Sequence, residues 1–248
     1  LCTAGIIAAY RIPALPAQAP HTPIAMPWMI IRQIKALNYN PGTWSPALAL
    51  AGFWALGGAT FAGLSTLGSV VYGLSEAGTV GLFLALVVGM VIGSVLAPRL
   101  IAKAFPAGAP LFGALLAGSA FAMVGFTAWQ DMSLVESTRS PTVIIWWLVI
   151  TGIGAGMWEV PVTVLLQERA APLQRNLVMS AVSVLGSLGT FIAAGSFQLL
   201  IKSGLSTPQA FLCCGAFTVA MALIVLVYFR SQIAGWILSI TVKIAYNV

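Results

Sequence analysis

The residues with the greatest chemical potential lie in one apolar run. Glu159 is the only carboxylate deep inside such a run, and a charge at the membrane centre costs roughly 2.5–3.5 kcal/mol to insert. Thr163 and Gln167 follow it at steps of four residues, so the three share one helical face. Pro161 removes a backbone donor, which predicts a hinge. This pattern indicates a site for a cationic group or a proton; a protonated Glu159 bonded to a neighbouring helix is the structural alternative.

A second polar set follows in the next apolar run. Ser180, Ser183, Ser187 and Thr190 recur at steps of three, four and three residues, which aligns their hydroxyl groups on one helical face. Such a stripe either joins helices or wets a cavity, and both interpretations stay open. The predicted substrate-binding or proton-coupling residues are Glu159, Thr163, Gln167, Trp158, Ser183, Ser187 and Tyr72.

Other chemistries lack the residues that they need. The chain has 3 cysteines, and the adjacent pair Cys213 and Cys214 has neither a metal-site spacing nor a disulfide framework. The glycines of 152–156 lie inside an apolar run and lack the spacing of a dinucleotide-binding loop. Because no nucleophile–base pair or metal cluster is recognisable, we expect no catalysis by this chain, no cofactor and no metal.

The amino-acid composition indicates the kind of protein that contains these residues. Hydrophobic residues make up 60% of the 248 positions and charged residues only 6%, whereas charged residues approach a quarter of a soluble domain. The sequence therefore predicts an all-α, multi-pass membrane protein. Its net charge of +6 comes from 11 basic residues that are spread along the chain, so no nucleic-acid patch is expected.

Six apolar segments are each at least about 20 residues long, which is enough to cross the hydrocarbon core. The predicted spans are 46–74, 77–97, 107–129, 142–166, 177–201 and 208–229. Residues 1–10 are interpreted as the end of a preceding membrane helix, and 231–248 as an interfacial lead-in to a further domain. Glycine pairs spaced three or four residues apart, such as Gly89 with Gly93 and Gly152 with Gly156, predict close helix contacts.

Residues 11–45 are interpreted as a cytoplasmic linker that contains an amphipathic helix over 28–39. Ile30, Ile31, Ile34 and Leu37 fall on one face of this helix, and Arg32, Gln33 and Lys35 on the other. The helix is too short to span, so it either lies in the membrane interface or packs on the protein.

Lysine and arginine predict the orientation in the membrane. With six spans, nine of the eleven basic residues fall on one side and only Arg139 and Lys202 on the other. The richer side is therefore expected to be cytoplasmic, with both ends of the chain there. On that side, Glu168, Arg169 and Arg99 form a predicted gate.

Six helices behind a basic linker resemble the C-terminal half of a major facilitator superfamily transporter, which is built from two six-helix halves. The run 152–169 (GIGAGMWEVPVTVLLQER), with Gly52-Phe53-Trp54 and 186–190, is similar to bacterial lysophospholipid transporters. Glu159 and Thr163 depart from that family's pattern, which has an apolar residue and Asn there. The resemblance implies inward movement of 2-acyl-glycerophosphoethanolamine across the inner membrane for reacylation, a missing N-terminal half, and a fused cytoplasmic acyltransferase in many bacteria.

Two other functions remain open at this point. The helices could anchor a fused acyltransferase near its lipid substrate with little transport of their own. They could also belong to a drug or metabolite exporter of the same superfamily. A flux assay distinguishes these alternatives from lysophospholipid transport.

Overall fold

The computed structural model describes residues 26–40, 42–104, 108–132 and 140–228, which form helices and connections without any β-strand. A π-helical turn, Leu67–Val71, extends the second helix. The helices are α1 (Met26–Tyr39), α2 (Trp44–Thr66), α3 (Glu76–Ala104), α4 (Gly108–Asp131), α5 (Thr142–Arg169), α6 (Arg175–Lys202) and α7 (Thr207–Tyr228).

Five of these helices are long and apolar enough to cross a membrane: Trp44–Val71, Glu76–Pro98, Pro110–Asp131, Thr142–Arg169 and Arg175–Lys202. The prediction of an all-helical, multi-pass membrane protein is confirmed at this level. The sixth predicted span, 208–229, falls on α7. The part Thr207–Leu223 of this helix is apolar but shorter than the five helices above. Its crossing of the membrane stays a prediction. The interpretations of 1–10 and 231–248 lie outside the described residues.

Glycines let α3 and α5 approach until their backbones touch. A Cβ atom on Gly89 would meet the carbonyl oxygen of Val149, and one on Gly93 would meet that of Ile153. Because contacts on both helices advance together along the chain, α3 and α5 run parallel. Lipid offers no hydrophobic drive between helices, so this close packing is what holds the pair together.

The same reading of contacts orients the other pairs. Gly58 lies against Thr190 and Gly63 against Phe197, so α2 and α6 also run parallel. Contacts of α4 with α5, and of α4 with α7, advance along one helix of the pair as they go back along the other, so both pairs are antiparallel. These parallel and antiparallel pairs are the ones expected if each span crosses the membrane in the direction opposite to the span before it.

The pairings place α3, α5, α2 and α6 in a row, with α4 behind α5 and α7 behind α2. The space between the row and the two rear helices is filled by apolar side chains. Phe121, Phe197 and Phe211 are fully buried there, with ring centroids 4.7 Å apart for Phe121 and Phe211 and 5.4 Å apart for Phe197 and Phe211. The front of the row is not covered by either rear helix.

Helix α1 is fastened to the bundle at its C-terminal end. Asn40 is buried, and its amide donates to Ala36 O at 2.6 Å and to Gln174 Oε1 at 2.7 Å, while its Oδ1 accepts from the backbone N–H of Ala171 at 2.9 Å. Leu37 is also buried, but Ile30 is 44% exposed. The helix therefore packs on the protein at one end and presents apolar surface at the other.

Candidate functional site

Glu159 lies on a side of α5 that the neighbouring helices leave uncovered. Gly156 packs on α3, Trp158 on α2 and Gly154 on α4. An α-helix turns by about 100° per residue, so the direction of Glu159 falls between the directions of α2 and α3 and away from α4. The residue is half-buried. Its side chain therefore faces the front of the row, within the apolar part of α5.

The carboxylate of Glu159 makes no hydrogen bond or ion pair with any residue that the structure describes. Thr163 is half-buried one turn further along, and Gln167 is exposed near the end of α5. The three residues thus extend about 12 Å along the helix, from the bundle interior to the end of the span. This geometry leaves the carboxylate available to an outside ligand.

Helix α2 contributes an aromatic strip to the same front. Trp54 is 47% exposed and Phe61 is 70% exposed, and a Cβ atom on Gly57 would meet nothing within 4 Å. These positions recur at steps of three and four, so they share one side of α2. Since α5 and α6 flank α2 and α7 lies behind it, that side faces forward. We name the front surface that carries Glu159, Trp54, Phe61 and Ser187 the open face.

Helix α6 adds hydroxyl groups beside Trp54. Ser183 and Ser187 are exposed, and each donates a hydrogen bond within its own helix, to Met179 O at 3.1 Å and to Ser183 O at 2.9 Å. Their oxygens remain available as acceptors. A groove of about 360 Å³ is lined by Trp54, Ser183, Gly186, Ser187, Thr190 and Phe191.

Thr190, the last member of the serine–threonine stripe, has a different position. Its Oγ1 lies 3.0 Å from Trp54 O on α2 and 3.0 Å from Gly186 O on its own helix. The stripe therefore combines both interpretations: Thr190 joins two helices, and Ser183 and Ser187 line the groove.

Two of the predicted site residues lie elsewhere. Trp158 is only 8% exposed and packs edge-on against Phe53 with ring centroids 6.0 Å apart, so it connects α5 to α2 in the interior. The hydroxyl of Tyr72 donates to Asp131 Oδ2 at 2.5 Å, which connects the end of α2 to the end of α4. Tyr72 lies about 27 Å along the helix from Trp54 and is thus remote from the groove.

The structure describes the side chains of two of the three predicted gate residues, and the gate itself stays a prediction. Arg169 Nη1 donates to Gly42 O at 2.8 Å, so it fastens the end of α5 to the connection between α1 and α2. Glu168 is exposed, and the side chain of Arg99 lies outside the described part of the chain. Helix α5 continues through the buried Pro161 as far as Arg169.

Sequence reasoning missed Trp54 and Phe61 of the open face, and Ser94 on the neighbouring α3. Phe61 and Phe83 have ring centroids 5.5 Å apart, so they bridge α2 and α3 in front of α5. Ser94 follows Phe83 by eleven residues, or about three turns, and therefore lies on the same side of α3. The exposure of Trp54 and Phe61 depends on gaps between helices, which the periodicity of one helix does not reveal.

The open face combines one carboxylate, several hydroxyl oxygens and aromatic faces, and the described residues contain no cluster of three metal-ligating side chains. Such a surface can bind an ammonium group by charge, hydrogen bonds and cation–π contact, with room for an apolar chain alongside. Comparison of the chain with protein-family models, curated proteins and solved structures returned no match.

Proposed function

We propose that this chain is one six-helix half of a transporter of the major facilitator type, which moves lysophospholipid across the bacterial inner membrane. The observation that carries the proposal is the half-buried carboxylate of Glu159 on the open face, which has no partner among the residues that the structure describes. An ionisable residue within a membrane span is a functional-site hypothesis by default.

The helix pairing supports this class of protein. The six helices divide into two sets of three, α2 to α4 and α5 to α7. If each helix is replaced by its counterpart in the other set, α3 becomes α6 and α5 becomes α2, so the parallel pair α3–α5 becomes the parallel pair α6–α2. The same exchange leaves the pair α4–α7 unchanged. Nested three-helix repeats produce that exchange, and each half of a major facilitator transporter consists of two of them. The open face is then the wall that the second half of the transporter would meet.

The chemistry of the open face supports the proposed substrate class. An ethanolamine ammonium group would pair with Glu159, and the hydroxyl oxygens of Ser183 and Ser187 would accept further hydrogen bonds from the headgroup. The single acyl chain would lie along Trp54 and Phe61, both of which are exposed. Rocking of the two halves would then expose the headgroup site to alternate sides of the membrane.

The test is uptake of labelled lysophosphatidylethanolamine by vesicles that contain the full-length protein or its Glu159→Gln variant. A hydrogen bond to a charged group contributes about 1.5–3 kcal/mol, so we expect uptake at low substrate concentration to fall at least about tenfold. Glu76→Gln removes an exposed acid at the start of α3, which belongs neither to the predicted substrate site nor to the predicted gate, and is the control, with uptake unchanged.

Two results would redirect the proposal. Equal uptake by the wild type and Glu159→Gln would remove this carboxylate from the site. A correctly inserted wild-type protein that moves no lysophospholipid would instead favour the anchor of an acyltransferase or an exporter of other substrates.

A further inference from the structure

A second groove shares no lining residue with the groove of the open face. It has a volume of about 400 Å³, within the range of small-molecule sites. It is formed between α1 and the start of α6, where the apolar span Arg175–Lys202 begins. The groove is lined by Trp28, Ile31, Arg32, Lys35, Ala36, Tyr39, Gln174 and Leu177.

One face of α1 supplies most of the polar lining. Trp28, Arg32, Lys35 and Tyr39 recur at steps of four, three and four residues, so they form a stripe in which two cations are flanked by two aromatic rings. Both aromatic side chains are well exposed, at 67% for Trp28 and 73% for Tyr39. Trp and Tyr in such positions are typical of the membrane–water interface.

The charge of the groove is entirely positive. No acidic residue lines it, and within the described residues neither Arg32 nor Lys35 forms an ion pair. The side-chain oxygen of Gln174 accepts a hydrogen bond from Asn40 at 2.7 Å, so the two amide N–H donors of Gln174 remain for a ligand. The groove thus offers donors and cations to an anion but no partner for an ammonium group.

Apolar residues complete the lining. Ile31 is 44% exposed and Leu177 is half-buried, so the groove presents hydrocarbon as well as charge. A free phosphate would leave this surface in contact with water, whereas a lipid would cover it with the start of its acyl chains.

We propose that this groove binds the headgroup of an anionic phospholipid such as phosphatidylglycerol from the adjacent leaflet. The phosphate would lie between Arg32 and Lys35 and accept from Gln174, and the acyl chains would pass over Leu177 into the bilayer. Such a lipid would hold α1 against the start of α6. This site is separate from the proposed transport site, which selects a cationic group with Glu159.

The test is titration of the detergent-solubilised protein with phosphatidylglycerol or phosphatidylcholine, with bound lipid counted by native mass spectrometry. A basic residue near an anionic lipid contributes about 1 kcal/mol, so loss of both charges in Arg32→Gln/Lys35→Gln should weaken the tightest phosphatidylglycerol binding about thirtyfold. Phosphatidylcholine binding should not change. Lys202→Gln, an exposed cation at the far end of α6, is the control.

A second variant tests the groove without removing its cations. Gln174→Glu keeps an oxygen for Asn40 but replaces the free donors with a negative charge, so it too should weaken phosphatidylglycerol binding. Unchanged binding in both variants, or an equal loss in Lys202→Gln, would overturn the proposal. Binding of sn-glycerol 3-phosphate as tight as that of phosphatidylglycerol would also overturn it, because the ligand would then be a soluble phosphate.

Discussion

Glu159 and Asp131 show how the surroundings of a carboxylate determine its role. Asp131 lies at the end of α4 and accepts a hydrogen bond from Tyr72, so it fastens two helix ends. Glu159 lies within a span and has no partner among the described residues. A polar group in an apolar medium requires compensation, and at Glu159 an outside ligand, a proton or water would provide it. We therefore propose a structural role for Asp131 and a functional role for Glu159.

Tyr72→Phe tests this distinction at the residue level. Removing the hydroxyl leaves the Asp131 carboxylate with one donor fewer, so the free energy of unfolding should fall by about 1–3 kcal/mol. The midpoint of thermal unfolding in detergent measures the loss. Lysophospholipid uptake per folded molecule should stay at the wild-type level, and a tenfold loss of uptake without loss of stability would return Tyr72 to the substrate site.

The sequence could identify Glu159 but could not separate Trp54 from Trp158. A carboxylate in an apolar run is recognisable without knowledge of its neighbours, because its cost comes from the membrane itself. The two tryptophans differ only in what surrounds them: Trp158 points between helices and is 8% exposed, while Trp54 lies beside a groove and is 47% exposed. The periodicity of a sequence shows on which side of its own helix a residue lies, but it does not show where the other helices are.

At the scale of elements, backbone contact between glycine-bearing faces organises the bundle. The predicted pair Gly89 and Gly93 faces Val149, Gly152 and Ile153 as the spacing indicated. Gly58 and Gly113 are also packed against backbone atoms of a neighbouring helix, although neither belongs to such a pair. A spacing motif therefore finds part of the packing, while isolated contact glycines become apparent only when the partner helix is in position.

Gly93→Ala and Gly81→Ala compare a contact glycine with a free one in the same helix. A methyl group on Gly93 would meet the backbone of Ile153, whereas one on Gly81 would meet nothing within 4 Å. We expect Gly93→Ala to lower the free energy of unfolding by about 1–3 kcal/mol through overpacking. Gly81→Ala should raise it by up to about 1 kcal/mol, since Ala favours the helix. Thermal unfolding that ranks the two variants in the reverse order would contradict the described α3–α5 contact.

For the whole molecule, the helix directions and the charges make one consistent prediction of topology. The parallel and antiparallel pairs are those of spans that alternate in direction. Arg32, Lys35, Arg169 and Arg175 then share one side of the membrane and Lys202 lies on the other. The basic side is expected to be cytoplasmic. The sequence predicted this alternation from length and charge alone, but the lateral order of the helices needed their contacts.

Single cysteines in two exposed loops test the orientation. Leu173 is 92% exposed between α5 and α6, and Ser203 is exposed between α6 and α7. In a background without native thiols, a membrane-impermeant reagent should label Ser203→Cys in intact cells and Leu173→Cys only after permeabilisation. The opposite pattern would invert the topology.

The most direct test of the open face compares two cysteine variants within the membrane. In the same background, Ser187→Cys lies in the groove of the open face, whereas Val164→Cys lies on the side of α5 away from α2, where Val164 is 47% exposed. We expect a charged thiol reagent to modify Ser187→Cys, lysophosphatidylethanolamine to slow that reaction, and Val164→Cys to remain unmodified in lipid. Equal modification of both positions, or no protection of Ser187→Cys by the lysophospholipid, would contradict a substrate site on the open face.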